Sequence, residues 1–535
     1  MKKNNNIFIT IGLILITMIF FTYKITITYD SSHYLWLTSL LTQYGDFSTW
    51  DVARSIVFPL FIRVSNMLFG YNTSGLLVGM YIFYITMLGT CYFIYKDTVK
   101  NEECLSKKMK WIFGILFCIL IAINPILFGY YHVVLTEFFA ATFSVLGCYL
   151  SWKWMNIDFK ENKIKYIIYT VILSILVAIA WHLKQPYVGT VLFPILISAV
   201  LSFIRNTNVK NLLQRFITVL SCVIILFGSM KLWNFVLYKN NVKIQENRTS
   251  EGFLSEGIIK GITEYTLKNT EEFNNIETIK QNEKLTQEDK EKMVEILENN
   301  SEYKSFSVID TKKENYDVIY SKNNVLSVGD SIKYLLSTLV KEPKAIVNSY
   351  VTNYLATVSL YNIEFDGMQI IINKGLDFTN SVEIGAIGFR IYEPEMENTF
   401  VLSEEYEPYA LIYKEKNTPI RIVNVVMKNL QTPEIIVMKI CYALLPIFTI
   451  ASIIAVFLVK KKYNEKYRNI IDIITILYSF SFVHILLHTV LGATIDRYTI
   501  PALIPTFLAI MLSIYAIVYR KKYKINNIEK SKKGE

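Results

Sequence analysis

The 535-residue chain is 52% hydrophobic and only 19% charged, with mean hydropathy +0.33 and a formal net charge of +10. A soluble domain carries about 25% charged residues; here long charge-free runs alternate with short lysine-rich ones, which excludes an ordinary soluble protein and indicates a lipid bilayer as partner. The positive charge flanks apolar runs and forms no basic domain, so no nucleic acid partner is expected.

Met1-Lys2-Lys3 and the run from Ile7 to Ile27 resemble a signal peptide, but the apolar stretch is long and no small-x-small cleavage site follows. It reads as an uncleaved first helix. A spanning helix needs about 20 apolar residues. Candidates in chain order are 7–27, 74–95, 111–129, 138–152, 166–183, 187–204, 216–237, 436–459, 469–489 and 500–519. With the N-terminus inside, the segments 96–110, 153–165, 205–215, 460–468 and the tail from Arg520 hold most of the loop lysines and arginines. The short outer loops hold mainly Arg54, Lys184 and Arg497. About ten spans satisfy this positive-inside alternation. The expected fold is a polytopic α-helical membrane protein with an α+β extracytoplasmic domain. It divides into an N-terminal transmembrane module (1–237, with an outer loop at 28–70), an extracytoplasmic domain (238–435), C-terminal transmembrane helices (436–520) and a basic cytoplasmic tail (521–535).

The expected location is the cell membrane, multi-pass, with both termini cytoplasmic. Within the outer domain, a charged helix-like stretch lies near 283–299 and strand-like runs follow 355. Val340–Tyr361 is apolar at roughly helical spacing and suits an interfacial helix. Cysteines at 91, 104, 118, 148, 222 and 441 avoid the large polar segment and form no Cys/His pattern, so neither a disulfide framework nor a zinc site is indicated. No internal repeat supports an inverted-repeat transporter.

The loop Thr28–Gly70 places Asp30 where the first helix leaves the membrane, then Tyr34, Leu35, Leu37, Leu40 and Leu41 at amphipathic spacing, then Arg54 and a second apolar stretch with Pro59 and Phe69-Gly70. Two short helices lying flat on the membrane account for this pattern. Asp30, Glu137, Lys184 and Arg497 all fall at the outer boundary, where charges are costly unless they face a cavity or one another. Each also has a plain reading. Asp30 suits a solvated helix end, Glu137 an interfacial ion pair, and Lys184 and Arg497 snorkelling cations. Asp46 and Asp51 suit loop or cap residues, and His33 and His132 structural roles.

The acid after the first span and the Arg-containing segment leading into FPLFIRVSNMLFG resemble the GT-C glycosyltransferases, especially bacterial relatives of protein O-mannosyltransferases and of lipid A aminoarabinose transferases. YHVVLTEF (Tyr131–Phe138), WHLKQP (Trp181–Pro186) and DRYTIPALIP (Asp496–Pro505) resemble that group's acidic outer loop, basic loop and late-helix start. The resemblance implies a membrane glycosyltransferase. It would move a sugar from a polyprenyl-phosphate donor to an extracytoplasmic acceptor in the cell envelope (a polymer, glycolipid or protein), with inversion.

Asp30 would then be the general base and Glu137 would orient the acceptor or a cation. Lys184 and Arg497 would bind the lipid phosphate with help from Arg54, and His132 and Tyr498 would line the pocket. No cofactor is certain. Some members of the group use a divalent cation and others none, and the pair Asp30 and Glu137 does not establish a metal site. The alternative function is a transporter or flippase for lipid-linked sugars, which needs charged or helix-breaking residues near mid-membrane.

Overall fold

The computed structural model describes residues 2–25, 29–42, 47–48, 50–51, 54–100, 114–205, 209–240, 343–358, 421–459, 463–490 and 496–523, with isolated positions between 112 and 340. The described residues are overwhelmingly helical and contain no strand. The helices are α1 (Lys2–Phe21), α2 (Tyr29–Thr42), α3 (Val57–Phe69), α4 (Thr73–Tyr95), α5 (Pro125–Tyr130), α6 (Glu137–Met155) and α7 (Lys163–Leu183). They continue with α8 (Gly189–Arg205), α9 (Val209–Lys239), α10 (Pro343–Val358), α11 (Arg421–Val459), α12 (Glu465–Val490) and α13 (Ile500–Tyr519). Among them, seven are long and apolar enough to cross a membrane: α4, α7, α8, α9, α11, α12 and α13. The protein is therefore a helical, multi-pass membrane protein.

Three of the ten expected spans fall outside that group, each for a visible reason. The described apolar part of α1 is only Ile11–Phe21. The run 111–129 is broken: a π-helical turn over Cys118–Ala122 is followed by Asn124, whose side chain accepts from Leu127 N at 2.7 Å and starts α5 with Pro125 at its first position. α6 is continuous but begins with Glu137 and carries Ser, Thr and Lys residues, although nearly all of it is buried. Most of the expected α+β outer domain lies outside the described residues. Its proposed interfacial stretch is helical as α10, which exposes Val347, Val351 and Leu355 at a four-residue spacing and buries Tyr354, Thr357 and Val358.

The chain divides into two compact units, 1–242 with 360–484 and 496–535, and 243–359 with 485–495. In the first unit, the helix directions follow from the side-chain bonds. Tyr166 and Thr170 of α7 meet Thr218 of α9 at 2.8 and 3.0 Å, Ser174 meets Cys222 at 3.4 Å and His182 meets Ser229 at 3.2 Å. Residue numbers rise together along both helices, so α7 and α9 run parallel with α8 returning between their levels. α12 runs antiparallel to α11 and α13: Thr449 bonds the Tyr478 carbonyl (3.3 Å) while Thr475 bonds that of Ser452 (3.2 Å), and Tyr467 bonds the Ala516 carbonyl (3.1 Å) while Ser481 bonds that of Ala502 (3.3 Å).

One end of this unit is a polar girdle. Lys153 pairs with Asp97 at 2.6 Å and Arg205 pairs with Asp472. Arg215 donates to the carbonyls of Trp154, Met155 and Ile157 at 2.9 Å each, satisfying the C-terminal carbonyls of α6. Every cation in it comes from a segment expected to face the cytoplasm.

The opposite end carries the outer-loop candidates. There α2 and α3 dock as two short helices. Arg63 of α3 donates to the Leu41 carbonyl of α2. Leu37, Leu41 and Trp50 pack with Leu237 and Val242, and the Trp50 and Trp233 rings meet edge to face at 5.6 Å. α3 buries Phe58, Pro59, Ile62, Ser65 and Asn66 along one face. Leu60, Val64, Met67, Leu68 and Phe69 remain exposed, a pattern for which a lipid interface is the fitting neighbour.

Candidate functional site

The candidates whose side chains are described lie at the end of the first unit opposite the girdle. Two of them touch. Lys184 follows the last residue of α7 and starts a tight turn, Gln185–Val188; Tyr498 lies in the corresponding turn before α13, Asp496–Thr499. Lys184 Nζ donates to the Tyr498 hydroxyl at 3.0 Å and stands 4.3 Å from the centre of the Tyr498 ring and 5.8 Å from that of Tyr187. The ammonium is thus held by one hydroxyl and two ring faces. No carboxylate occupies it in an ion pair among the described residues. His484 of α12 donates from Nε2 to the Tyr498 carbonyl at 3.0 Å, and Tyr442 of α11 donates to the Thr499 carbonyl at 2.9 Å. Two neighbouring helices therefore fix the turn that carries Arg497 and Tyr498.

Arg54 lies in the segment between α2 and α3. Its amide donates to the Asp51 carbonyl at 2.9 Å, its carbonyl accepts from Trp50 Nε1 at 2.8 Å, and its guanidinium sits 5.3 Å from the centre of the Tyr34 ring. Asp51 and His33 pair at 3.1 Å, tying α2 to the same segment. Asp30 is the second residue of α2 and Arg497 the second residue of the Asp496–Thr499 turn. Their side chains lie outside the described residues.

Glu137 opens α6 and is 1% exposed. His132 is also buried, between the rings of Phe20 (4.2 Å) and Phe128 (4.5 Å), with Nδ1 2.8 Å from the Phe128 carbonyl and Nε2 3.0 Å from the Phe20 carbonyl. Burial lowers its pKa to about 4, and the two carbonyls oppose that shift without cancelling it. Its ring nitrogens are directed at the main chain of α1 and α5.

Three positions at this end carried no role in the sequence reading. Ser55 and His182 form a hydrogen bond of 2.7 Å between the Arg54 segment and the end of α7. His182 lies inside WHLKQP, so the motif pointed at it, but its partner 127 residues away is set by packing alone. Glu434, 7% exposed and directly after Pro433 in α11, has its carboxyl beside the Ile126 amide of α5. No group of three or more His, Cys, Asp or Glu side chains suited to a metal ion occurs among the described residues.

Chemically, a half-buried ammonium held on aromatic faces is a donor for a phosphate oxygen, and a guanidinium such as that of Arg54 offers a planar fork. No protein family, curated protein or solved structure matches this chain.

Proposed function

We propose that the protein is a GT-C-like membrane glycosyltransferase. It takes a sugar from a polyprenyl-phosphate donor and passes it to a hydroxyl acceptor outside the cytoplasm, in one inverting displacement. The supporting observation is the meeting of Lys184 and Tyr498, 314 residues apart in the chain. It joins the basic loop to the Arg497-Tyr498 turn at the end of the bundle away from the girdle. In this reading the girdle end is cytoplasmic, the chain crosses about ten times, and 238–435 forms an extracytoplasmic α+β domain.

Lys184, Arg497 and Arg54 hold the lipid phosphate and stabilise it as the leaving group. Asp30 takes the proton of the acceptor hydroxyl as the acceptor oxygen bonds to the anomeric carbon and the bond to the phosphate oxygen breaks. Glu137 orients the acceptor or a divalent cation, and Tyr498 shapes the pocket wall, while His132 ties α1 to α5 behind it. The test is transfer from radiolabelled polyprenyl-phosphate sugars by the purified chain in lipid. Asp30→Asn is expected to abolish transfer with the yield of folded protein unchanged; near-normal turnover removes Asp30 from the role.

A transporter or flippase for lipid-linked sugars is the second reading, favoured by Glu434, a buried acid within a spanning helix. Vesicle assays separate the two: a flippase moves fluorescent lipid-linked sugar across the bilayer without an acceptor, and Glu434→Gln stops it.

A further inference from the structure

Ser55 follows Arg54 directly, and His182 stands two residues before Lys184. The 2.7 Å bond from Ser55 Oγ to His182 Nδ1 therefore joins the two chain segments that bear these cations. Its direction is set at the far side of the ring. Ser229 Oγ donates to the Leu226 carbonyl at 2.7 Å, so its oxygen accepts from His182 Nε2–H at 3.2 Å. Nδ1 then holds the lone pair and accepts the Ser55 hydroxyl proton. A chain of three hydrogen bonds thus runs from the Arg54 segment through the end of α7 into α9.

The Arg54 main chain is also bonded on both sides, to Trp50 and Asp51, as given above. The root of the arginine is fixed while its guanidinium rests over Tyr34. Lys184 is fixed in the same way by Tyr498 and Tyr187.

We infer that His182 is a positioning residue that clamps the Arg54 segment to the Lys184 segment, so that both cations serve one phosphate-bearing lipid headgroup. This rests on the phosphate-carrying donor proposed above. A fork and a point charge on one phosphate bind well only when neither has to be ordered by the ligand. The clamp supplies that order beforehand, and it uses a neutral ring between two hydroxyls, adding no charge that would compete for the phosphate.

The experiment uses the full chain in nanodiscs with farnesyl phosphate as the probe, read by calorimetry, and farnesol as the control lacking phosphate. Ser55→Ala and His182→Gln are expected to weaken farnesyl phosphate about three- to tenfold, the scale of one lost buried hydrogen bond. His182→Asn keeps a polar atom near the Nδ1 position and is expected to bind close to wild type. The Ser55→Ala effect should vanish in an Arg54→Ala background, since the clamp acts through that arginine. Unchanged binding in Ser55→Ala, or an effect that adds in full to Arg54→Ala, overturns the inference.

Amide exchange over 47–56 reads the clamp without any ligand. Faster exchange in Ser55→Ala supports it, and unchanged exchange overturns it. Wild-type protein that treats farnesyl phosphate and farnesol alike ends the donor reading instead.

Discussion

At Lys184 an ammonium is placed against a hydroxyl and two aromatic rings, and each contributes something separable. Lys184→Met removes the charge and keeps the stem. Losing a charge-assisted contact of about 1.5–3 kcal/mol corresponds to roughly a 10- to 100-fold fall in kcat/KM for a polyprenyl-phosphate sugar. Tyr498→Phe keeps the ring face and removes only the 3.0 Å partner, so its loss is expected to be a few-fold. Equal losses in the two variants would mean that the hydroxyl, not the charge, matters.

His132 gives a pH signature. Its folded pKa of about 4 lies below the ordinary 6.5, so the fold holds it neutral. That preference costs nothing above about pH 6.5 and destabilises progressively as pH falls toward 4. The thermal midpoint should therefore drop over that window more steeply in wild type than in His132→Gln, measured in one detergent. Parallel curves would mean that the two carbonyls carry a charged ring. Lys184 stood out in the sequence as a charge at the outer bilayer boundary within WHLKQP, and Tyr498 through the resemblance carried by DRYTIPALIP. Ser55 and Ser229 look like any loop or helix serine. Only the meeting of α7, α9 and the Arg54 segment gives them a role.

Helices approach closely where side chains are smallest. A Cβ on Gly147 of α6 would lie 2.6 Å from the Thr190 carbonyl and 3.2 Å from Val191 Cα of α8. Both are main-chain atoms that cannot swing aside. Gly147→Val is therefore expected to destabilise by at least the roughly 1–3 kcal/mol of overpacking, seen as a lower thermal midpoint and faster proteolysis in detergent. An unchanged midpoint would place α6 and α8 farther apart. The lesson of the broken span at 111–129 belongs to the same scale. An apolar run of adequate length suggested one helix, while Asn124-Pro125 inside it is a strong helix-start pair. The run reported burial, and the pair reported geometry. Counting apolar residues alone gave no sign of the change from a π-turn to a short helix within the run. The short pair α2 and α3 was legible because neither is long enough to span, and α3 keeps an exposed apolar face.

Over the whole chain, the charge bias sorted the loops into two sets. The first unit gathers the described members of those sets at opposite ends, with Lys153, Arg205 and Arg215 at one and Arg54, Lys184 and Tyr498 at the other. Which end faces the cytoplasm is a separate matter, settled by labelling in a cysteine-free background. Tyr71→Cys, on an exposed residue between α3 and α4, is expected to react with an impermeant maleimide on intact cells. Asn156→Cys, exposed at the girdle, should react only after permeabilisation. The reverse pattern would invert the topology and withdraw the extracytoplasmic site. Most of 238–435 was opaque to sequence reading for a physical reason. It is polar, lacks sustained periodicity and holds no motif that ties residue type to chemistry.

Parallel α7 and α9 share hydroxyls, a thiol and an imidazole along their contact, from Tyr166 to Ser229. These bonds cross from one helix to the other, so they form only once the later helix has been threaded into the bilayer. A nascent chain that stalls before Val209 leaves those cross-helix bonds unmade in hydrocarbon, which is costly there. Completion of that one hairpin-and-return is a natural checkpoint in biogenesis: fragments ending earlier should be cleared by membrane proteases, while those extending past Lys239 should persist.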